Sequence, residues 1–341
     1  MKKRILITGA GGYIGCILSE LLLKSDYQIR ALDRYFFGKD LLITDPDIEI
    51  IRDDTRLLND SLLEGVDAVI DLAAISNDPS GELFQKSTWD INHKARANLA
   101  EKAKRSGVKR YILPSSCSVY GFLEEGVIAD ESSQTNPLTT YAKANLKAEE
   151  DILALADESF CCTIIRQATV YGFSPRMRFD LAINGMTYGA WKNGTIPLMR
   201  DGKQWRPMVH VKDTSAAMKF LLETDPKKIN GEIYNVGSDK NNYQLKILAE
   251  KVADTLPNDV SIDWYGDPDD RSYRVSFDKI EQLGFKAEFK AEDGVIEIAE
   301  ALNKGFIDKD TKTITLEWYK ELVKWNKIIN ETSLDGSIID L

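Results

Sequence analysis

Three glycines at three-residue steps stand in the stretch Thr8-Gly9-Ala10-Gly11-Gly12-Tyr13-Ile14-Gly15. Gly9, Gly12 and Gly15 suit a tight turn whose backbone approaches a pyrophosphate, with the phosphates held at a helix N-terminus. An apolar run, Arg4–Thr8, precedes the turn. Helical periodicity through Ile14, Ile17, Leu18, Leu21 and Leu22 follows it. The next short apolar run ends in Asp33, eighteen residues after Gly15, where an acid accepts hydrogen bonds from adenosine ribose hydroxyls. That carboxylate repels a 2′-phosphate and so favours NAD over NADP, while Arg34 beside it keeps NADP open. A third run ends in Asp53-Asp54, and either acid is a candidate for the adenine amino group.

The elements that must position these groups alternate between strand and helix. Apolar runs of strand length fall at Arg4–Thr8, Gln28–Leu32, Ile48–Ile51, Ala68–Leu72, Arg110–Leu113 and Cys162–Arg166. Helical patterns fall at Gly12–Lys24, Leu83–Ser106 and Tyr141–Ala156. Strands separated by helices of this length imply right-handed βαβ units and a parallel sheet covered on both faces. The expected fold is therefore α/β: a Rossmann-type doubly wound parallel sheet with a smaller C-terminal substrate-binding lobe. Residues 1–172 are expected to form the NAD-binding domain, to which later strands at about 208–237 return. Residues 173–330 would form mainly the lobe, with pieces at Met208–Val211, Thr214–Glu223, Tyr234–Val236 and Leu245–Thr255, and 331–341 a polar tail.

Composition narrows the function classes. The 341 residues carry 54 acidic against 44 basic side chains, a net charge of −10, and the pI is near 5.0. No dense Lys/Arg block offers a face for nucleic acid or for an anionic membrane. No apolar run reaches the roughly 18–20 residues of a membrane span. Four cysteines, with Cys161 and Cys162 adjacent, form neither a disulfide framework nor a metal-ligand pattern. His93 and His210 have no cysteine partners in ligand spacing, so no metal site is expected; His93 reads as an incidental surface residue and His210 as structural. These features point to a cytoplasmic protein.

Further motifs carry a resemblance. They are Asp67-Ala-Val-Ile-Asp-Leu-Ala-Ala74, Ser115-Ser-Cys-Ser-Val-Tyr-Gly121, Tyr141, Arg166 through Tyr171-Gly172, Arg206-Pro-Met-Val-His-Val-Lys-Asp213 and Tyr234-Asn-Val-Gly237. With Thr8–Gly15, they make the chain over roughly residues 3–300 resemble the extended short-chain dehydrogenase/reductases, in particular the nucleotide-sugar epimerases, dehydratases and 4-oxidoreductases. Ser174-Pro-Arg-Met-Arg-Phe-Asp180 and Asp267-Pro-Asp-Asp-Arg271 look most like a branch acting on unusual bacterial sugars. The resemblance implies that Leu72, Ala73 and Ala74 line the cofactor together with Tyr13 and Ile14, and that Asn92 buttresses the site. It implies that Ser115 and Ser116 flank nicotinamide and sugar, with Ser116 and Tyr141 catalytic. It further implies substrate contacts from Ser76, Thr169, Arg176, Arg178, Arg206 and Arg271, the last two on a nucleotide pyrophosphate.

One position departs from the family. Its catalytic tyrosine is followed four residues later by a lysine, a neighbour on the same helix face. This chain reads Tyr141-Ala-Lys-Ala-Asn145-Leu-Lys147, so Asn145 takes that place. Lys143 and Lys147 lie about 200° and 240° around the helix from Tyr141 and cannot substitute. Asn145 can hydrogen-bond a ribose hydroxyl but brings no charge. The Tyr141 phenol is therefore expected to titrate high, and Asn145→Lys to bring it down.

The segment before Val119 bears on the reaction. Related 4,6-dehydratases place a carboxylate where this chain has Cys117-Ser118, which argues against that elimination, and Cys117 reads as packing. The resemblance implies an NAD-dependent nucleotide-sugar epimerase acting through transient oxidation at C4. A 4-dehydrogenase or 4-keto-sugar reductase is the alternative, and a silent NAD-binding protein a third. A homodimer formed through Leu83–Ser106 and Tyr141–Ala156 is expected from the same resemblance.

Overall fold

The computed structural model describes residues 2–124, 126–257, 259–266 and 271–333. Seven strands form its main sheet: β1 (Arg4–Thr8), β2 (Gln28–Asp33), β3 (Ile48–Arg52), β4 (Ala68–Asp71), β5 (Arg110–Ser116), β6 (Cys161–Gln167) and β7 (Glu232–Val236). Their order is β7-β6-β5-β4-β1-β2-β3, and every neighbouring pair is parallel. This is the doubly wound arrangement, whose strand order reverses between β1 and β4. In β1 the period of two is visible in the packing. Ile5 and Ile7 join one core cluster with Ile29, Ile70 and Ile112, whereas Leu6 joins Val69, Tyr111 and Leu113 on the opposite face. Both faces are covered, which is why β1 reads as an unbroken apolar run.

The main helices are α1 (Tyr13–Leu23), α2 (Arg96–Arg105), α3 (Thr140–Leu153), α4 (Ala182–Asn193), α5 (Val211–Glu223), α6 (Ala291–Asn303) and α7 (Thr315–Thr332). The single long helix expected over Leu83–Ser106 is instead several pieces. Asp78–Leu83 is capped by Asn77 and stops at Phe84, and Gln85–Trp89 then runs through a π-helical turn, Asp90–Ala95, into α2. A third cluster packs Ile183, Met186 and Ala190 of α4 against Val295 of α6 and Leu248.

The C-terminal half departs from expectation in two places. Tyr234–Val236 does return to the main sheet as part of β7, but the strand Trp205–His210 pairs with Thr169–Tyr171 and Asn242–Gln244 in a separate three-stranded sheet. Helix α7 runs to Thr332 and turns back toward the N-terminal half, where the Trp318 indole donates to the Phe36 carbonyl at 2.8 Å; residues 334–341 of the expected tail lie outside the described residues. Among the described residues no helix is long and apolar enough to cross a membrane.

Behind β5 a buried polar network ties four elements. The Arg166 guanidinium donates to Glu149 Oε2 at 2.7 and 3.0 Å and to the Tyr120 hydroxyl at 3.2 Å. Tyr120 in turn donates to Asn235 Oδ1 at 2.8 Å. Burial pushes the Glu149 carboxyl above its usual range, against the pull of Arg166. Arg166→Met should therefore cost about 3–5 kcal/mol in urea unfolding, because it strands a buried carboxylate. The loss should shrink as pH falls, since protonating Glu149 removes the unpaired charge; a loss independent of pH would contradict this.

Candidate active site

At the C-terminal ends of the strands, over the β1/β4 switch point, lies a cavity of about 1080 Å³. That exceeds the roughly 300–1,000 Å³ of a site for one small ligand. It runs from Asp53 past Gly12 and Ala73 to Tyr141, and on to Arg206 and Arg271.

The fingerprint turn forms one wall. Gly9 has φ +67°, and a Cβ there would stand 2.7 Å from the Leu72 carbonyl carbon; at Gly15 it would stand 2.4 Å from the Gly9 oxygen. Only glycine allows β1, the turn and the end of β4 to close so tightly. Helix α1 has Gly12 at its N-cap and no side-chain cap, which leaves its first N–H groups for phosphate. Tyr13 and Ile14 line the cavity beside them, with the Tyr13 hydroxyl donating to the Gly172 carbonyl at 2.5 Å. At the end of β2, Asp33 accepts from Gly11 N at 3.1 Å and Tyr35 N at 2.7 Å. Burial raises its carboxyl, opposed by these N–H groups. Arg34 is engaged by Asp54 at 2.5 Å, as is Arg56 at 2.6 Å. Asp54 is thus held between two guanidinium groups, and Asp53 next to it spends one oxygen on the Asp54 N–H at 2.7 Å. Leu72, Ala73 and Ala74 border the middle of the cavity.

Arg176 and Arg178 stand at the fingerprint end rather than deep in the substrate lobe. Arg176 stacks 3.6 Å from the Phe37 ring centroid, donates to Thr315 Oγ1 at 2.9 Å, and faces Asp33. Burial, with Arg178 adjacent, pulls the Arg176 guanidinium down to about 10. Arg178 pairs with Asp180 at 2.8 Å and donates to Ser76 Oγ at 3.2 Å. Tyr319 of α7 lines the same end. No sequence motif announced Tyr319, because a terminal amphipathic helix carries no sign of what it covers.

Tyr141 sits in the first turn of α3, whose N-cap Thr139 accepts from Ala142 N at 3.2 Å and donates to Asp78 Oδ1 at 2.6 Å. Ser116 Oγ accepts from Ser118 N at 3.1 Å, which leaves its proton for Tyr141. Burial raises the Tyr141 phenol. Arg96 pulls it down, Asp78 pushes it up, and the Ser116 and Asn145 side chains lower it further. Asn145 itself does not border the cavity: it is buried, its Oδ1 accepts from Arg96 Nη1 at 2.6 Å, and its Nδ2 has no hydrogen-bond partner.

Three further expectations, for Ser115, for Asn92 as a cofactor contact and for His93, are corrected. Ser115 points into the core, where its hydroxyl bonds Glu149 Oε1, since successive residues of a strand face opposite sides. Asn92 touches no cavity space; it brackets the Ile75 backbone, accepting from N at 2.8 Å and donating to O at 2.9 Å, so it shapes the loop after Ala74. His93 is not a free surface residue but half-buried, 2.7 Å from Asp151. His210 is wholly buried, 2.7 Å from Glu297 and stacked on Phe289. Cys117 is buried with its thiol bonded to the Arg166 carbonyl, and burial raises it.

At the far end, Arg206 stands over the Tyr273 ring at 5.3 Å and donates to the Trp205 carbonyl at 2.8 Å. It also reaches the Arg271 carbonyl. Arg271 pairs with Asp78, and the other residues of the Asp267–Arg271 motif lie outside the described residues. Thr169 and Ser76 border the same cavity. The buried Ser118 hydroxyl there has no partner. Sequence reasoning missed Arg96 and Asp78. The signal for Arg96 was a charge at a core-facing step of the helix, in line with Asn92, Leu99 and Ala103.

The residues fit a dinucleotide: the turn is a cradle that any Cβ would fill, and an orphaned amide lies beside the phenol. Residues 5–237 match the NAD dependent epimerase/dehydratase family. The uncharacterized UDP-glucose epimerase YtcB of Bacillus subtilis (strain 168) is 27% identical over 268 residues, 72% of this chain and 80% of that protein. The UDP-N-acetyl-alpha-D-glucosaminuronate decarboxylase of Bacillus cytotoxicus is 29% identical over 254 residues, 70% of this chain and 76% of its own length. Among solved structures, MoeE5 in complex with UDP-glucuronic acid and NAD superposes with a TM-score of 0.80 at 24% identity, covering 89% of this chain and 99% of that one. That likeness shows the fold.

Asp33→Ala should weaken NAD binding by about 1–3 kcal/mol, the loss of a charge-assisted hydrogen-bonding group, and weaken NADP binding less. Because Asp33 is held above the ordinary aspartate range, NAD affinity of the unaltered protein should fall on acidification before ordinary aspartates protonate. Calorimetric titration at a series of pH values checks both, and tighter binding of NADP than NAD would overturn the assignment of Asp33.

Proposed function

The chain belongs to the NAD dependent epimerase/dehydratase family, and we propose that it is a nucleotide-sugar epimerase acting through transient oxidation of the sugar at C4. The cofactor is NAD, which when bound would supply the hydride acceptor. The observation that carries the reading is the position of Tyr141: its phenol borders the cavity between Ala73–Ala74 and the arginine-lined far end. Tyr141 as its phenolate takes the proton of the sugar hydroxyl and becomes the phenol, while Ser116 holds the same sugar oxygen, so charge never develops unsupported. Arg206 and Arg271 bind the nucleotide pyrophosphate, where guanidinium groups bridge paired oxygens. Asp78, held by Arg271 and Thr139, fixes one of these arginines relative to the catalytic helix. Thr169 and Ser76 border the sugar.

Cys117 and Ser118 stand where a dehydratase needs a carboxylate base, and Asp78 has its oxygens engaged, which supports epimerisation over elimination. Epimerisation leaves no net redox change, so the substrate must turn between oxidation and reduction without leaving. Purified protein given a panel of nucleotide-sugars should convert one of them to its C4 epimer without accumulating the near-ultraviolet absorbance of reduced nicotinamide. A stoichiometric rise of that absorbance with substrate would make the protein a dehydrogenase instead. Tyr141→Phe should lower turnover by about 100-fold or more, the usual worth of a positioned acid–base group; full activity would place the base elsewhere.

A further inference from the structure

The expectation that Tyr141 lacks a cationic neighbour does not survive the structure. We propose that Arg96, reaching across from α2 and bracketed by Asn145, is the positioning residue that supplies the positive charge beside the Tyr141 phenol, a charge moved from one helix to the next. This rests on the reading of Tyr141 as the proton acceptor.

Four observations carry it. Arg96 is buried, with 3% of its surface exposed, yet it borders the cavity that Ala73 and Tyr141 also line. Its Nη1 donates to Asn145 Oδ1 at 2.6 Å and its Nε to the Ala73 carbonyl at 3.2 Å. A guanidinium has only donors, so this bond fixes which end of the Asn145 amide is oxygen. The amide nitrogen is thereby left buried and without a partner, and the Asn145 side chain lowers the Tyr141 phenol. The side chain four residues after the tyrosine has thus become a bracket for a cation arriving from outside its own helix. A lysine at that place would bring its ammonium against Arg96, so the two solutions exclude each other.

The charges facing Tyr141 come from several elements. Arg96 arrives from α2 and Asp78 from the short helix Asp78–Leu83, the latter largely satisfied by Arg271 and Thr139. Glu82 accepts from the Thr140 N–H at 2.6 Å at the start of α3. Asp71 lies 4.0 Å from Arg96 and spends its oxygens on Thr8 and on Tyr111. On its own helix, Lys143 is exposed and turned away. Arg96 is the cation among them that favours phenolate over phenol. No bond to Arg96 forms or breaks: the sugar O–H breaks and the phenol O–H forms.

The test reads the phenol directly in NAD-loaded protein carrying tyrosine labelled with 13C at Cζ. Among the 13 tyrosines, the Tyr141 resonance is identified by its loss in Tyr141→Phe. Arg96→Gln should raise the Tyr141 titration midpoint by about one unit or more, the effect of removing an adjacent opposite charge. The rise of kcat with pH should move to higher pH with it. Asn145→Lys, which crowds a cation already present, should lower the midpoint by less than Arg96→Gln raises it. An unchanged midpoint in folded Arg96→Gln overturns the proposal. So does a fall of a full unit or more in Asn145→Lys, which alone decides if Arg96→Gln does not fold. If Tyr141→Phe keeps full turnover, the proposed base is wrong, while the titration still reports whether Arg96 acts on the phenol.

Discussion

A guanidinium buried at the base of a cavity must be held by partners, and those that hold Arg96 join the elements on which the site stands. Asp71 closes β4 beneath it at 4.0 Å. The same carboxylate accepts from Tyr111 of β5 at 2.6 Å and from Thr8 of β1. The Ala73 carbonyl takes Nε, and Asn145 of α3 takes Nη1. Three central strands and two helices therefore meet at one charge. Removing any member leaves a buried polar group exposed to a loss that the apolar packing cannot offset.

From this column the site follows outward. Thr8 leads into the glycine turn, and its hydroxyl also accepts from Ala73 N at 3.1 Å, which fastens the turn to the edge of β4. Closing the turn in this way leaves the first N–H groups of α1 open above it. On the other side Asn145 sets the face of α3 that carries Tyr141. The glycine turn and the Tyr141 phenol are thus two ends of one hydrogen-bonded assembly, and their separation is set by strand spacing rather than by loops.

Much of this was legible in the residues. The central strands β1, β4 and β5 match their apolar runs because buried parallel strands leave no polar face to blur the signal. The glycine turn, Asp33 and Tyr141 announced themselves by type and spacing. Less legible was whatever depended on a partner distant in sequence. Ser115 and Ser116 are adjacent and alike, and only the pleat and the buried Glu149 separate a core group from a cavity group. The break at Phe84 and the π-helical turn at Asp90–Ala95 add to the helix without erasing its apolar period. The return of α7 over Arg176 and Phe37 and the bracket at Asn145 each need a contact that no spacing encodes.

The proposed epimerisation breaks and re-forms the C4–H bond without exchange with solvent, and an isotopic label follows that bond most directly. A nucleotide-sugar substrate carrying deuterium at C4 should give the C4 epimer with its deuterium still at C4, read by mass spectrometry and NMR. An epimer whose deuterium has been replaced by solvent hydrogen, or a product labelled at C4 with its configuration there unchanged, would contradict it.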